Sequence, residues 1–217
     1  VSVSLLFAQA GAVIRYTTNG REPTEKDLVY SAPITITRNF TTLKAKVFGN
    51  NFLASETVQA VFVKDGIPIK SITYPAPSEQ YGGDGANALM NNKGGIAAFT
   101  SNTWLGFQQD TVDIIISLNK KQKISTVLFN LLQNYDAWIF FPEKADIYYA
   151  DKTGIFIKNG TLLLTPEANK DKNACSPFTL KFIDKVNTTS VKLQLHLLKQ
   201  IPAWHPGKGQ KSWIFID

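Results

Sequence analysis

The chain has 217 residues, with 44% apolar and 18% charged side chains, a net charge of +6 and one cysteine. That composition suits one large or two ordinary globular domains and excludes a disordered chain. The lone Cys175 excludes an intramolecular disulfide and a cysteine-based zinc cluster.

Residues 1 to 65 read as short strands separated by turns. Ile14-Arg15-Tyr16-Thr17 runs into Asn19-Gly20, a tight-turn pair. Pro33 to Thr37 is a β-branched run of period two, with the proline at its start, where a missing N–H does least harm. Thr42 to Phe48 alternates, placing Leu43, Ala45 and Val47 inward and the lysines outward, and Val58 to Val63 closes the set. Strands of this length without a helix predict a small antiparallel sandwich. Residues 66–73, beginning at Gly66-Ile67-Pro68, are expected to be a linker.

Beyond the linker, Tyr74 to Gly85 is predicted as loop. Strands are then expected over Val112–Leu118, Ile124–Leu132, Ala145–Ala150, Ile155–Leu164, Phe178–Ile183, Val191–Leu197 and Trp213–Ile216. Asn119-Lys120-Lys121-Gln122-Lys123 separates the first two and reads as a solvated hairpin turn. About eight strands over residues 74–217 suit a jelly-roll sandwich, so the whole chain is predicted to be all-β.

Several functions are disfavoured by the residue inventory. Arginine occurs only at 15, 21 and 38, and recognition of bases and phosphates leans on its planar fork, so no nucleic-acid partner is expected. Only His196 and His205 are available, too few for a histidine-based metal site, and no Gly-x-Ser-x-Gly turn is present. No run approaches the roughly 18 apolar residues of a membrane helix. No signal peptide is visible and the chain opens on valine, so it is expected to be a piece of a longer protein.

The first segment resembles the small immunoglobulin-like domain found behind the catalytic barrel of bacterial chitobiases and β-N-acetylhexosaminidases. The resemblance rests on Ile14 to Thr24, on Tyr30-Ser31-Ala32-Pro33-Ile34 and on Leu43-Lys44-Ala45. The second resembles the discoidin-like, galactose-binding-like module of family 32 carbohydrate-binding modules and of Bacteroides-type family 20 hexosaminidases. Its matching pieces are Tyr81-Gly82-Gly83, Trp104-Leu105-Gly106-Phe107, Asp113 to Leu118, Leu132-Gln133 with Trp138 to Pro142, and Ile201 to Gly207 before Trp213 to Asp217. These likenesses imply a non-catalytic accessory region of a secreted, periplasmic or outer-membrane-attached glycoside hydrolase. Its partners would be an upstream catalytic barrel of the same chain and a glycan containing N-acetylhexosamine or galactose. Glycoside hydrolysis needs two positioned carboxyl groups, and the resemblance places that pair in the barrel. The alternatives are a module that only packs on the barrel, or one that adheres to a protein or membrane surface through Phe99 or Phe107.

Sugar recognition combines an aromatic face with polar groups for the hydroxyls. Gln133, Asn134, Tyr135, Asp136 and Trp138 supply that mixture on one loop, and Trp204 with His205 on another. Tyr81 and Asp84, in a glycine-rich loop, are further exposed candidates. The competing reading of Trp138 and Trp204 is that they cap the sandwich core, and Trp104 is expected in the core. His196, opposite in phase to Val191, Leu193, Leu195 and Leu197, is expected to face solvent. The resemblance also implies a structural calcium, but Leu89-Met90-Asn91-Asn92 stands where an acidic turn is usual. Oxygens of Ala88, Asn91 and Gly94 are the donors left to it, and no other cofactor is expected.

Overall fold

Period-two alternation builds the first unit. In the computed structural model, which describes all residues except 39, 50, 64–65, 86, 92–94 and 167–172, it spans Val1–Gly66. Its strands are β1 (Ser2–Val3), β2 (Val13–Thr17), β3 (Leu28–Val29), β4 (Ile34–Thr35), β5 (Phe40–Phe48) and β6 (Val58–Val63). They form a four-stranded sheet ordered β3-β2-β5-β6 and a two-stranded sheet β1-β4. Leu43, Ala45 and Val47 of β5 are buried, as the alternation predicts. Leu43 meets Ile34 and Ile36 in the core, with Val3, Leu5, Tyr16, Tyr30 and Phe62 packed around them. Asn19-Gly20 does turn the chain, with Gly20 at φ +80° and its N–H donating to the Thr42 carbonyl at 3.0 Å. Only glycine adopts that φ at no steric cost.

The second unit, Ile67–Asp217, contains β7 (Ile69–Thr73), β8 (Leu105–Phe107), β9 (Thr111–Asn134), β10 (Lys144–Ala150), β11 (Phe156–Leu163), β12 (Asn173–His196) and β13 (Ile214–Ile216). One curled antiparallel sheet runs β11-β10-β12-β9-β13-β8, with β7 on the free edge of β9. The early half of β9 carries β7, its late half carries β13, and the late half of β12 carries β10. The core between these halves draws Val112, Ile114, Ile147 and Leu193 from one and Leu105, Phe129, Leu131, Leu180 and Ile216 from the other. The chain is all-β, and among the described residues there is no α-helix.

Three expectations are corrected. Residues 66–73 are not a bare linker, because Ile72 and Thr73 of β7 pair with Ile116 and Ile115. Lys120 to Lys123 make no hairpin: β9 runs through them as one strand of 24 residues, antiparallel to β12 of equal length. The bend falls where the register shifts between Lys181 and Val186 and between Thr188 and Ser190. Polar side chains there mark a strand that leaves the core, not a reversal. Phe107 is buried and Phe99 packs against an inner cluster, so neither is the surface spike that an adhesion mode requires.

Candidate functional site

At the far end of β9 the chain leaves the sheet through one turn of 3₁₀-helix, Tyr135–Ala137. Asn134 caps it, its side-chain oxygen accepting the Ala137 N–H at 3.0 Å, as short polar side chains do at helix starts. Trp138 closes the turn at φ +60°, the only non-glycine residue with positive φ among those described. The left-handed region costs an L-residue roughly 1–2 kcal/mol, so neighbours must hold it there. Asn134 and Ile139 exchange both backbone hydrogen bonds at 2.9 Å, and the Trp138 carbonyl accepts the Trp213 N–H at 2.9 Å. Strain kept in this way clusters at functional sites.

A second loop, 201–210, folds against this turn. Ile201 N–H donates to the Gln210 carbonyl and Gly209 N–H to the Ile201 carbonyl, both at 2.9 Å, which closes the loop on itself. His205 is buried. Its Nδ1 accepts the Gly207 N–H at 3.0 Å, so Nε2 carries the proton and donates to the Tyr135 carbonyl at 3.0 Å. The ring thereby ties one loop to the other. Gly207 lies against the Trp138 indole, since a Cβ built there would come within 3.0 Å of the ring.

The candidate residues therefore divide. Trp138 and Trp204 are each 40% exposed, and Asp136 is exposed between Asn134 and the Trp138 bend. Tyr135 is only 3% exposed, with Phe140 at 4.7 Å and Trp204 at 5.1 Å between ring centroids. Gln133 is buried as well. Tyr135, Phe140, His205 and Ile201 form the floor, and Trp204 stands on it edge-to-face with Tyr135. Gly207 is the participant that sequence reasoning missed, although the Gly207-Lys208-Gly209 run after the Trp-His pair was a signal for a tightly packed turn.

Tyr81 and Asp84 sit apart from this group. Tyr81 is half-buried, 5.3 Å from Trp213 and 4.8 Å from Phe215 between centroids. Asp84 is exposed and accepts the Asn91 side-chain N–H at 3.0 Å. Burial, helped by the nearby Asp84 charge, pushes the Asp217 carboxyl up, while the Gly95 N–H donates to it at 2.6 Å. Calcium takes six to eight oxygens, several of them carboxylate. Among the described residues no three His, Cys, Asp or Glu side chains come together. Of the expected calcium donors, Gly94 lies outside the described residues, and Asn91 donates its side-chain N–H to Asp84, which leaves its oxygens out of that bond. Trp104 is fully buried, its indole N–H donating to the Ile96 carbonyl at 2.8 Å. Burial, with the Asp217 charge, pushes the Cys175 thiol up to about 11, which leaves little thiolate for chemistry.

Residues 1–66 match the family model of the chitobiase/beta-hexosaminidase C-terminal domain. No curated protein matches the chain. Among solved structures, it is similar to the CBM32-5 module of CpGH89 from Clostridium perfringens, solved in complex with GalNAc-β-1,3-galactose. The identity is 17% and the TM-score 0.42, over 67% of this chain and 93% of that one. A CBM32-3 module from a family 31 glycoside hydrolase of the same organism aligns at 11% identity and TM-score 0.41, over 68% of this chain and 89% of that one. The C-terminal domain of a chitobiase from Bacteroides fragilis aligns at 14% identity and TM-score 0.37, over 69% of this chain and 91% of that one.

Proposed function

We propose that this chain is a non-catalytic accessory region of a glycoside hydrolase of the β-N-acetylhexosaminidase type, and that its second unit binds glycan. The match of residues 1–66 to a chitobiase/beta-hexosaminidase C-terminal domain supports the enzyme neighbourhood. The observation that carries the binding role is the pair of exposed indoles, Trp138 and Trp204, on two loops locked together through His205. Each indole offers a flat apolar face that stacks on the C–H face of a pyranose. Asp136, exposed beside Trp138, accepts from sugar hydroxyls. Because the loops are already fixed by backbone hydrogen bonds, little ordering entropy is lost on binding. The ligand is a glycan containing N-acetylhexosamine or galactose, with micromolar-to-millimolar affinity, about 4–8 kcal/mol. The longer protein would act outside the cytoplasm, secreted, periplasmic or attached to the outer membrane. No helix among the described residues is long and apolar enough to cross a membrane.

A glycan array and affinity gels, run on the chain and on folded Trp138→Ala and Trp204→Ala variants, test this reading. Binding by the chain that either variant loses is the expected result. No binding to any glycan, with both indoles shielded from acrylamide quenching, would favour a module that only packs on the catalytic barrel.

A further inference from the structure

The outer face of the sheet β11-β10-β12-β9 holds an arrangement that the tryptophan site does not use. Pairing places Lys144, Asp146 and Tyr148 of β10 opposite His196, Gln194 and Lys192 of β12, and Gln194 opposite Asp113 of β9. On the other flank Asp146 faces Thr161 and Tyr148 faces Lys158. Alternate residues share a face, so these side chains lie in one polar field. The apolar partners Ala145, Ile147, Leu193 and Leu195 point to the core.

Asp146 is the anchor. It is only 2% exposed although it lies on the outer face, because the side chains that bind it also cover it. One oxygen takes the Thr161 hydroxyl at 2.6 Å and the Lys158 ammonium at 2.8 Å. The other takes Lys144 at 3.5 Å and the His196 ring at 3.0 Å. A single carboxylate thus gathers two ammonium groups and an imidazole, and cannot neutralise them all. Burial pushes this carboxyl up, but the hydrogen bonds from Lys158 and Thr161 and the two lysine charges outweigh it and bring it down to about 2. The anchor is therefore charged at any physiological pH.

Next to it, Lys192 reaches Asp113 at 3.3 Å and lies 4.4 Å from the centre of the Tyr148 ring. Gln194 donates to Asp113 at 2.7 Å and accepts the Tyr148 hydroxyl at 3.0 Å. Phe156 extends the same row, 5.7 Å from the Lys192 ammonium. The field therefore sets three lysines and a histidine against two carboxylates, interleaved with amide and hydroxyl groups and two aromatic rings. From Lys144 to Tyr148 it runs about 13 Å at the usual strand rise, longer than one small anion needs.

We propose that this sheet face is a second binding surface, for an acidic glycan whose carboxylate or sulfate groups meet Lys144 and Lys158. Anchored ammonium groups lose little freedom when an anion arrives, and Lys158, with 46% of its side chain exposed, is open to one. The neutral amide and hydroxyl groups suit sugar hydroxyls. Asp113 and Asp146 within the row disfavour a dense phosphate backbone, and no arginine fork is present on it. None of these residues lies on the tryptophan loops.

The test is affinity electrophoresis of the chain through gels containing polygalacturonate, dextran sulfate or neutral dextran, at two salt concentrations. Retardation by at least one acidic polymer and none by dextran is expected, and the polymer that acts tells carboxylate from sulfate. Lys144→Gln with Lys158→Gln should weaken it about tenfold, roughly the loss of one to two charge-assisted contacts. Lys158→Gln alone, which leaves Lys144 to cover Asp146, gives the same direction if the double variant folds poorly. Lys120→Gln with Lys121→Gln removes the same charge elsewhere and should change little, as should Trp138→Ala. Equal weakening by the two lysine pairs reduces the effect to net charge and overturns the proposal. So do retardation that no variant alters, loss in Trp138→Ala, absence of retardation, or equal competition by a single-stranded DNA oligomer.

Discussion

Asp146 and Trp138 show how much one residue can depend on distant chain. The Asp146 carboxyl ionises at about 2 in the fold, against 3.8 for an ordinary aspartate. A depressed value means that its contribution to stability is complete above about pH 4 and disappears as the pH falls toward 2. The contribution is on the order of 1–2 kcal/mol, reduced because its lysine partners reach into water. Urea midpoints should therefore fall from pH 4 to 2 in the wild-type chain, and less steeply in Asp146→Asn. Parallel profiles for the two proteins would refute this. Little in the local sequence marked Asp146: Lys144 shares its strand, but Lys158, Thr161 and His196 lie on β11 and β12 and converge on it only through sheet register. His196 was legible as a residue of the polar face, but its bond to Asp146 was not. Tyr135 shows the opposite difficulty. Its polar neighbours Gln133, Asn134 and Asp136 placed it among the sugar-binding candidates, yet its ring is covered by Phe140 and by Trp204, which lies far along the chain.

At the scale of elements, alternation located most strands and their inward faces, since period two is a local property of the chain. It could not tell a turn from a bend. Lys120-Lys121-Gln122-Lys123 is polar because β9 runs outside the core there, and the ladder resumes with Gln122 opposite Thr188. A proline in a solvated hairpin turn is commonly tolerated, whereas inside a paired strand it cannot donate to the ladder and is disfavoured. Gln122→Pro should lower the urea midpoint of the second unit sharply. An unchanged midpoint would restore the hairpin. The strand β7 escaped notice for a related reason. Five residues near Pro68 and Pro75 carry too few alternating positions to stand out, and the edge of β9 that recruits them is remote in sequence.

For the whole molecule, every sheet belongs to one unit, and the boundary falls between Gly66 and Ile67. Residues 67–217 alone should fold and keep any binding that depends on Trp138 and Trp204. Circular dichroism and the same affinity gels check this, and loss of binding by a folded 67–217 would assign part of the site to residues 1–66. The first unit has a small core around Ile34, Ile36 and Leu43, and chains of that size bury a modest share of their surface. The jelly-roll class was visible in strand number and spacing, while the fusion of four expected strands into β9 and β12 was not. Those two strands have a further consequence. β9 leads into the Trp138 turn at one end and carries Asp113 near the other, and β12 runs beside it throughout. A break anywhere along this shared ladder exposes backbone groups in both halves of the curled sheet at once. The second unit is therefore expected to open as a single cooperative body, with the Trp138 turn losing its support in the same event.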